Sequence, residues 1–481
     1  MASRDPSRPN VLLILSDDQG PWALGCAGND EVRTPHLDAL AASGVRLARF
    51  FCVSPVCSPA RASLFTGEIP SQHGVHDWIS RRHTGRDGRD FVAGRRLFTD
   101  DLHEAGYRLG MIGKWHLGAN DRPRPGFTRW LAHESGGGPY RGAVLYDQGE
   151  RVQASGYLTD VLTAQARAFL ADEAGREEPF YLSLHYTAPH KPWKGHHPRR
   201  FEALYDDCAF DSCPQGPPHP WQPVDRDGTP VGGEPDARAA LVGYFAAVSA
   251  MDEGIGQVMA TLSELGLTGS TLVFFSSDNG FNCGHHGIWG KGNGTFPQNM
   301  YDSSVMVPAI VSQPGRVPGG RVSEALLSAY DVRPTLLELL GLPADADAGH
   351  RPGRSFTDVL AGSEAAGRSP VVVYDEYGPV RMIRTDAWKY VHRYPHGPHE
   401  LYDLAADPGE ARNLIGEPEA AGIRVELARR LDAWFSRYVI PGVDGSRLPV
   451  NGNGQLAPVR PGTGLDAFEP PSDPVRGSDT T

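Results

Sequence analysis

Two stretches of the chain are apolar almost without interruption and end in acids. One is NVLLILSDD, residues 10–18; the other is STLVFFSSDNG, residues 270–280. A strand with one face in water alternates apolar and polar positions. Unbroken runs of this length therefore predict strands covered on both faces, as in a parallel sheet. RLGMIGKWH (108–116), PFYLSLHYTAPH (179–190) and VPAIVSQPG (307–315) predict further strands of that sheet. Helical spacing fills the intervals: residues 34–44, 99–106, 157–175, 236–266 and 331–341. In the first of these Thr34 reads as the N-cap, Pro35 as the first helical residue and Gly44 as the stop. Strands alternating with helices predict a layered α/β fold, an α/β/α sandwich around a large, mixed, mostly parallel sheet.

The pattern changes near residues 345–370, where the chain turns small and polar. PVVVYDEYG (370–378), VRMIRTDAWKYVHRY (380–394) and HELYDL (399–404) then read as short antiparallel strands, followed by one helix over 420–439. The predicted organisation is a catalytic domain over 1–365, a small C-terminal α+β domain over 366–440 and a Pro/Gly-rich tail over 441–481. The tail has little periodicity, so it either wraps the surface or is partly disordered. No internal repeat is visible.

At 481 residues the chain is long enough to bury a large core. Its formal net charge of −12 argues against nucleic acid or an anionic membrane as the main partner. An anionic substrate would then require positive charge gathered locally. The N-terminus carries no secretory pattern, since its apolar run is short and followed at once by acids. No run approaches a membrane span. The reading is a cytoplasmic protein. Six cysteines in so long a chain do not make a disulfide framework; Cys208 and Cys213 read as free thiols rather than half of a zinc site.

In open α/β sheets ligands gather beyond the C-terminal ends of strands. The polar residues just after each apolar run are therefore the ones to collect: Asp17 and Asp18, Lys114 and His116, His190, Asp278 and Asn279, and Lys291 in the glycine-rich WGKGNG. Taken singly, Asp17–Asp18 reads as a cap and Asp278–Asn279–Gly280 as a turn. Two acidic clusters after like strands instead point to a shared cation, because crowded carboxylates repel one another. An all-oxygen set suits Ca2+, with Mg2+ as the alternative, rather than zinc. The lysines and histidines at the same edge suit an anion with several oxygens, a sulfate or phosphate ester.

VCSPAR (56–61) adds a nucleophile. With Ser58 as N-cap and Pro59 as the first helical residue, Cys57 is expected at a helix mouth, where free N–H groups attract anions. Side chains lean toward the helix N-terminus, so Arg61 can reach back to it. A thiolate in that place would have a lowered pKa; the plainer reading is an inert, partly buried thiol.

PVCSPARASLFTG (55–67), built on Cys-x-Pro-x-Arg, resembles the first signature of the formylglycine-dependent sulfatase family, whose fold is alkaline phosphatase-like. GYRLGMIGKWH (106–116) resembles the second signature, departing at Leu109, where the family usually has Ser or Thr. LILSDDQG, YTAPHKPW, SSDNG, WGKGNGTFPQNMYDSSVMVP and ELYDLAADPGEARNL are similar to family stretches in the same order. The resemblance implies that Cys57 is oxidised by a formylglycine-generating maturation enzyme to an aldehyde. One hydroxyl of its hydrate would attack sulfur, and the other, once deprotonated, would expel sulfate. It further implies Asp17, Asp18, Asp278 and Asn279 as ligands of Ca2+, Arg61 and Lys114 as stabilisers of the hydrate and His116 as the base. His190 and Lys291 would bind sulfate, with His190 protonating the leaving alcohol. His73, Asp77 and His286 are expected to line the pocket, on position alone. Trp78, Trp193 and Trp289 could stack on a substrate ring or simply pack. The implied reaction is hydrolysis of a sulfate monoester; a phosphonate monoester or phosphodiester hydrolase of the same fold is the alternative.

Overall fold

The computed structural model describes residues 8–470, apart from 87, 226–227, 232, 234–235, 345–346 and 364–369. Its centre is an eleven-stranded sheet. Five strands at the heart of that sheet lie side by side and parallel, in the order β8 (Thr271–Ser277), β1 (Asn10–Ser16), β7 (Phe180–His185), β3 (Arg108–Gly113) and β4 (Phe127–His133). Beyond β4 two antiparallel strands follow, β5 (Val144–Asp147) and β6 (Glu150–Gln153). Beyond β8 come β12 (Ala309–Ser312) and then β2 (Val45–Phe51). Strand β2 also pairs with β11 (Met306–Val307) and, in parallel, with β13 (Arg321–Ser328). A two-stranded ribbon, β9 (Asn282–Cys283) with β10 (Trp289–Gly290), leaves the sheet near β8.

The unbroken apolar runs have the cause assigned to them. Along β1, Val11, Leu13 and Leu15 enter one hydrophobic core, while Leu12 and Ile14 enter another on the opposite face. In β8, Leu272 and Phe274 part from Val273 and Phe275 in the same way. Helices α1 (Pro35–Ala42), Leu158–Glu173 and Ala237–Glu264 cover one face; α2 (Cys57–Thr66) and Val332–Leu339 contribute to the other. Thr34 and Pro35 start α1 as expected, but the helix ends at Ser43 in right-handed geometry. Gly44 serves a different purpose: a Cβ there would meet the Val311 carbonyl at 2.2 Å, so its smallness lets the chain pass against β12.

The C-terminal sheet is antiparallel, β14 (Val371–Asp375) to β15 (Val380–Arg384) to β16 (Trp388–Arg393) to β17 (Glu400–Asp403), with helix Ala421–Tyr438 packed on it. Val371, Val373 and Leu431 belong to the same core as β1, and Lys389 reaches across to the Met300 carbonyl at 2.8 Å. The expected boundary at residue 365 lies outside the described residues, as does the tail beyond residue 470. Residues 441–470 lie against the loop over 74–80 and enclose a small core of Val443, Val459, Ala467 and Phe468. All six cysteines are unpaired, and among the described residues no helix is long and apolar enough to cross a membrane.

Candidate active site

The site forms where β1, β8 and the start of α2 meet. Adjacent parallel strands in register bring Ser16 opposite Ser277, so Asp17–Asp18 and Asp278–Asn279 leave the sheet side by side. Asp18 adopts a left-handed backbone (φ 61°) that turns the chain sharply there. Its N–H donates to Asp278 Oδ1 at 3.3 Å, and the Asn279 amide donates to Asp18 Oδ1 at 2.8 Å. Helix α2 begins at Cys57 itself, with Val56 extended as the cap residue. Ser58 is therefore not the N-cap and Pro59 not the first helical residue. The Ser58 hydroxyl accepts instead from the Ile79 N–H at 3.1 Å. Pro59 is still tolerated because the first four N–H groups of a helix have no intrahelical partner. Every residue of α2 is buried, and the helix mouth faces the acids.

One ligand atom each from Asp17, Asp18, Cys57 and Asp278 lies within 4.8 Å of all the others, and all four residues are buried. Three cations are threaded through the same space. Lys114 Nζ is 2.6 Å from Asp17 Oδ2, and Arg61 Nε donates to Asp278 Oδ2 at 2.9 Å. Lys291 Nζ donates to Asp18 Oδ1 at 2.6 Å and stands 2.9 Å from Cys57 Sγ and 3.4 Å from Asn279 Oδ1. Arg61 lies within electrostatic reach of Cys57 and is held by the acids and the backbone. It spends Nε on Asp278 and Nη1 on the Lys114 carbonyl at 2.7 Å, leaving Nη2 buried without a partner. His190 Nε2 sits 3.7 Å from Asp18 Oδ2, and its Nδ1–H donates to the Lys191 carbonyl at 2.7 Å. His116, also left-handed (φ 55°), donates from Nε2 to the Ile79 carbonyl at 3.2 Å; its Nδ1 is buried and unpartnered.

These charges are far from their ordinary states. Burial pushes the Asp17 carboxyl up to about 7 against the pull of Lys114, with Asp278 and Asp18 adding to the rise. Burial works on Asp278 too, but Arg61, Lys114 and Lys291 override it and hold that carboxyl well below the usual range. Asp18 is likewise lowered, by Lys291 and His190 against burial. Cys57 is not the acidic thiol its helix position suggested: burial pushes it up to about 12 despite Lys114 and Lys291. Burial pulls His190 down to about 4, and burial with the charges of Lys114 and Arg61 takes His116 well below 6.5, so both imidazoles are neutral.

The donor chemistry fits a hard divalent cation. Three buried carboxylates and the Asn279 carbonyl oxygen converge, an oxygen set that Ca2+ or Mg2+ takes and zinc does not favour. The orphaned Arg61 Nη2 adds a donor for an anion in the same pocket.

His73 is set apart from this cluster. Its Nε2 meets Ser63 Oγ at 3.0 Å and its Nδ1 accepts from the Val75 N–H, so both nitrogens are spent locally. Asp77 is buried, and its carboxylate accepts from the Trp78, Gly452 and Gly454 N–H groups, holding the tail. His286 stacks on Tyr301 at 3.8 Å. Trp193 and Trp289 are buried and pack on each other, and Trp78 is partly buried against Gly454.

Sequence reading missed several supports. His185 Nδ1 meets both the Lys114 carbonyl and Arg61 Nη1, and Tyr244 hydroxyl bonds fix the backbone of Asp18 and Gly20. Gly136 and Gly137 lie flat against the His116 and His190 rings; a Cβ would meet those rings at 2.2 and 2.8 Å. The run SGGGP just after a strand was the available signal for that close approach.

A family model described as Sulfatase matches residues 9–342, and a second, N-sulphoglucosamine sulphohydrolase, C-terminal, matches 284–436. The chain is 30% identical to an ulvan-active sulfatase of Formosa agariphila, over 89% of this chain and 81% of that one. It is 26% identical to an N-acetylglucosamine-6-O-sulfatase of Bacteroides thetaiotaomicron (90% and 87%) and 28% to a choline-sulfatase of Rhizobium meliloti (85% and 83%). Among solved structures it superposes with a TM-score of 0.77 on one in complex with its substrate D-glucosamine-2-N,6-O-disulfate, at 24% identity, covering 90% and 98%. A phosphonate monoester hydrolase of Agrobacterium radiobacter shares the fold at a TM-score of 0.65 and 23% identity, covering 89% and 96%.

Proposed function

The chain belongs to the sulfatase family, an enzyme family of sulfuric ester hydrolases, and we propose that this member removes sulfate from a carbohydrate with Cys57 carried as formylglycine beside a bound Ca2+. The observation that carries this reading is the convergence of Cys57 with Asp17, Asp18 and Asp278 inside 4.8 Å, with Lys291 2.9 Å from the sulfur. Support for a carbohydrate comes from relatives named for N-acetylglucosamine-6-O-sulfate and ulvan; the choline-sulfatase relative keeps a non-sugar ester as the competing substrate. Six unpaired cysteines support the cytoplasmic location included in the proposal, which cell fractionation tests.

Asp17, Asp18, Asp278 and Asn279 would hold the cation, which when bound supplies positive charge against the sulfate oxygens and acidifies the attacking hydroxyl. A hydrated aldehyde at position 57 supplies two hydroxyls on one carbon, one to take the sulfuryl group and one to release it, which a plain serine lacks. Lys291 and Lys114 already hold buried positive charge beside Cys57, so they stabilise negative charge there without reorganising. His116 is a neutral imidazole fixed by Ile79 at Nε2, so Nδ1 is the proton acceptor for the releasing step. His190 is fixed at Nδ1 by Lys191, leaving Nε2 to carry the proton to the departing alcohol. A sulfate bound next to it raises its pKa from about 4 toward the range of a useful acid.

The test pairs intact mass with a substrate panel. Conversion of Cys57 lowers the mass by about 18 Da. Converted protein should hydrolyse an aryl sulfate and sulfated sugars far faster than a phenyl phosphonate, with Cys57→Ala as blank. Faster turnover of the phosphonate would move the chain to the phosphonate hydrolase reading, which so far rests on a shared fold alone.

A further inference from the structure

The side chains of the catalytic cluster balance one another in charge. Arg61, Lys114 and Lys291 are matched one for one by Asp278, Asp17 and Asp18. The cation proposed there answers one sulfate group, so a substrate with further negative groups needs other positive residues on a chain of net charge −12. One such group stands on segments bonded to those that carry His116 and Ile79. A cleft of about 670 Å³ runs between residues 88–90 and the wrapped tail at 457–463, and Arg89, Arg122 and Arg460 line it together with Asp90 and Thr463.

The acids do not cancel these guanidinium groups. Asp90, the one carboxylate of the lining, is already paired with Arg124 at 2.7 Å. Arg89 is exposed and has no acidic partner among the described residues. Among the described residues the Arg460 guanidinium bonds only the Ala93 carbonyl, at 3.4 Å, and Arg122 donates to the Gly88 carbonyl while standing 3.9 Å from Asp121. Guanidinium groups brought together from three separate segments, with few acids to neutralise them, suit an anion with several oxygens.

Both walls of the cleft are anchored in the catalytic machinery. On one side the Phe91 N–H donates to the carbonyl of Leu117, the neighbour of His116, at 3.1 Å. The Arg89 carbonyl presses so closely on Gly118 that a Cβ there would sit at 1.9 Å, and the φ of +79° also requires glycine. On the other side Ala457 follows two residues after Gln455, which bonds the loop that carries Ile79. An anion in the cleft is thus held at a fixed offset from the reacting centre.

We propose that this cleft is a second anion subsite, taking a sulfate or carboxylate group on a neighbouring residue of a polyanionic oligosaccharide while the ester to be cleaved lies at Cys57. The inference rests on the carbohydrate sulfatase reading and narrows it to glycans that carry more than one negative group.

The experiment uses the full chain and a fluorescein-labelled, fully sulfated hexasaccharide, with binding read by anisotropy at low and physiological salt. Arg89→Ala/Arg460→Ala should weaken binding by about tenfold or more and flatten its salt dependence. It should leave kcat/KM for 4-nitrocatechol sulfate within about twofold, since neither arginine contacts the catalytic cluster. Arg89→Glu is the second variant and should weaken binding further. Equal binding by wild type and variants would overturn the proposal, as would loss of aryl sulfate turnover in parallel. Displacement of the probe by submillimolar inorganic sulfate would assign the cleft to free sulfate instead, and equal affinity for an oligonucleotide of matched charge would remove the glycan. If wild type binds the probe but hydrolyses no sulfate ester, the carbohydrate sulfatase reading fails while the subsite stands.

Discussion

Gln455 sits in the last described stretch of the chain, yet replacing it should disable the active site. Its side chain is fully buried and makes four bonds: Oε1 accepts from the His76 and Asp77 N–H groups at 2.8 and 3.2 Å, and Nε2 donates to the Gly74 and Ala457 carbonyls at 2.8 Å each. Its backbone also bonds Trp78 and Ser80. The loop so held presents the Ile79 carbonyl to His116 and the Ile79 N–H to Ser58, the residue after Cys57. In Gln455→Ala, the buried His76 and Asp77 N–H groups and the half-buried Ala457 carbonyl lose this partner, while the Gly74 carbonyl keeps the Val459 N–H. At about 1–3 kcal/mol for each group left dry, and with water entering the vacated space to satisfy some of them, the local cost is about 2–4 kcal/mol. A displacement of the imidazole by about 1 Å can cost up to about a hundredfold in rate. The expected result with an aryl sulfate is therefore a kcat lower by about 10- to 100-fold, with KM changed less than about threefold. The control is Leu431→Ala, a buried position in the C-terminal helix that costs a similar 2–5 kcal/mol but touches nothing in this loop. A kcat within twofold of wild type in Gln455→Ala, or an equal loss in Leu431→Ala, would refute the reasoning.

Arg61→Lys should lower the melting temperature and nearly abolish turnover, because a single ammonium cannot serve both Asp278 and the Lys114 carbonyl; unchanged thermal unfolding would contradict a stabilising role for these two hydrogen bonds. EDTA-dialysed protein should melt at lower temperature and recover with added Ca2+, by about 2.7 kcal/mol at a hundred times Kd, and scanning fluorimetry that shows no shift would remove the cation from the site. Burial pulls His76 down to about 4. The unfolded chain takes up that proton below about 6.5 and the native protein only near 4, so this share of stability is whole above 6.5 and lost as pH falls toward 4. His76→Gln should narrow the gap between melting temperatures at pH 7 and pH 5; an unchanged gap would show that this imidazole does not contribute.

The parts of the site that were legible in the sequence are those set by strand ends. Apolar runs closed by Asp17–Asp18 and Asp278–Asn279 identify themselves because β1 and β8 are buried on both faces, and the structure brings the two pairs together as expected. Strand β6 escaped because it lies at the sheet edge, where Glu150–Gln153 is wholly exposed and no apolar pattern is required, and β5 because its four residues are too few to show a pattern. The start of α2 was misplaced by two residues, since a Ser-Pro pair signals a first turn without saying where in that turn it falls. The lowered thiol pKa was argued from the helix mouth alone. Burial of the whole helix, which no local pattern displays, reverses it. The tail lacks periodicity because it has no regular helix or strand: scattered apolar residues make its small core, and hydrogen bonds to a loop some 380 residues earlier hold it.

That long reach has a consequence in time. Chains emerge from the ribosome N-terminus first, and domains begin to fold as they emerge. The loop beside Cys57 is synthesised early, but the glutamine that fastens it follows some 380 residues later. The protein therefore passes through a stage in which its sheet can form while its reaction centre is still unlatched, and it becomes a finished catalyst only once that glutamine has emerged.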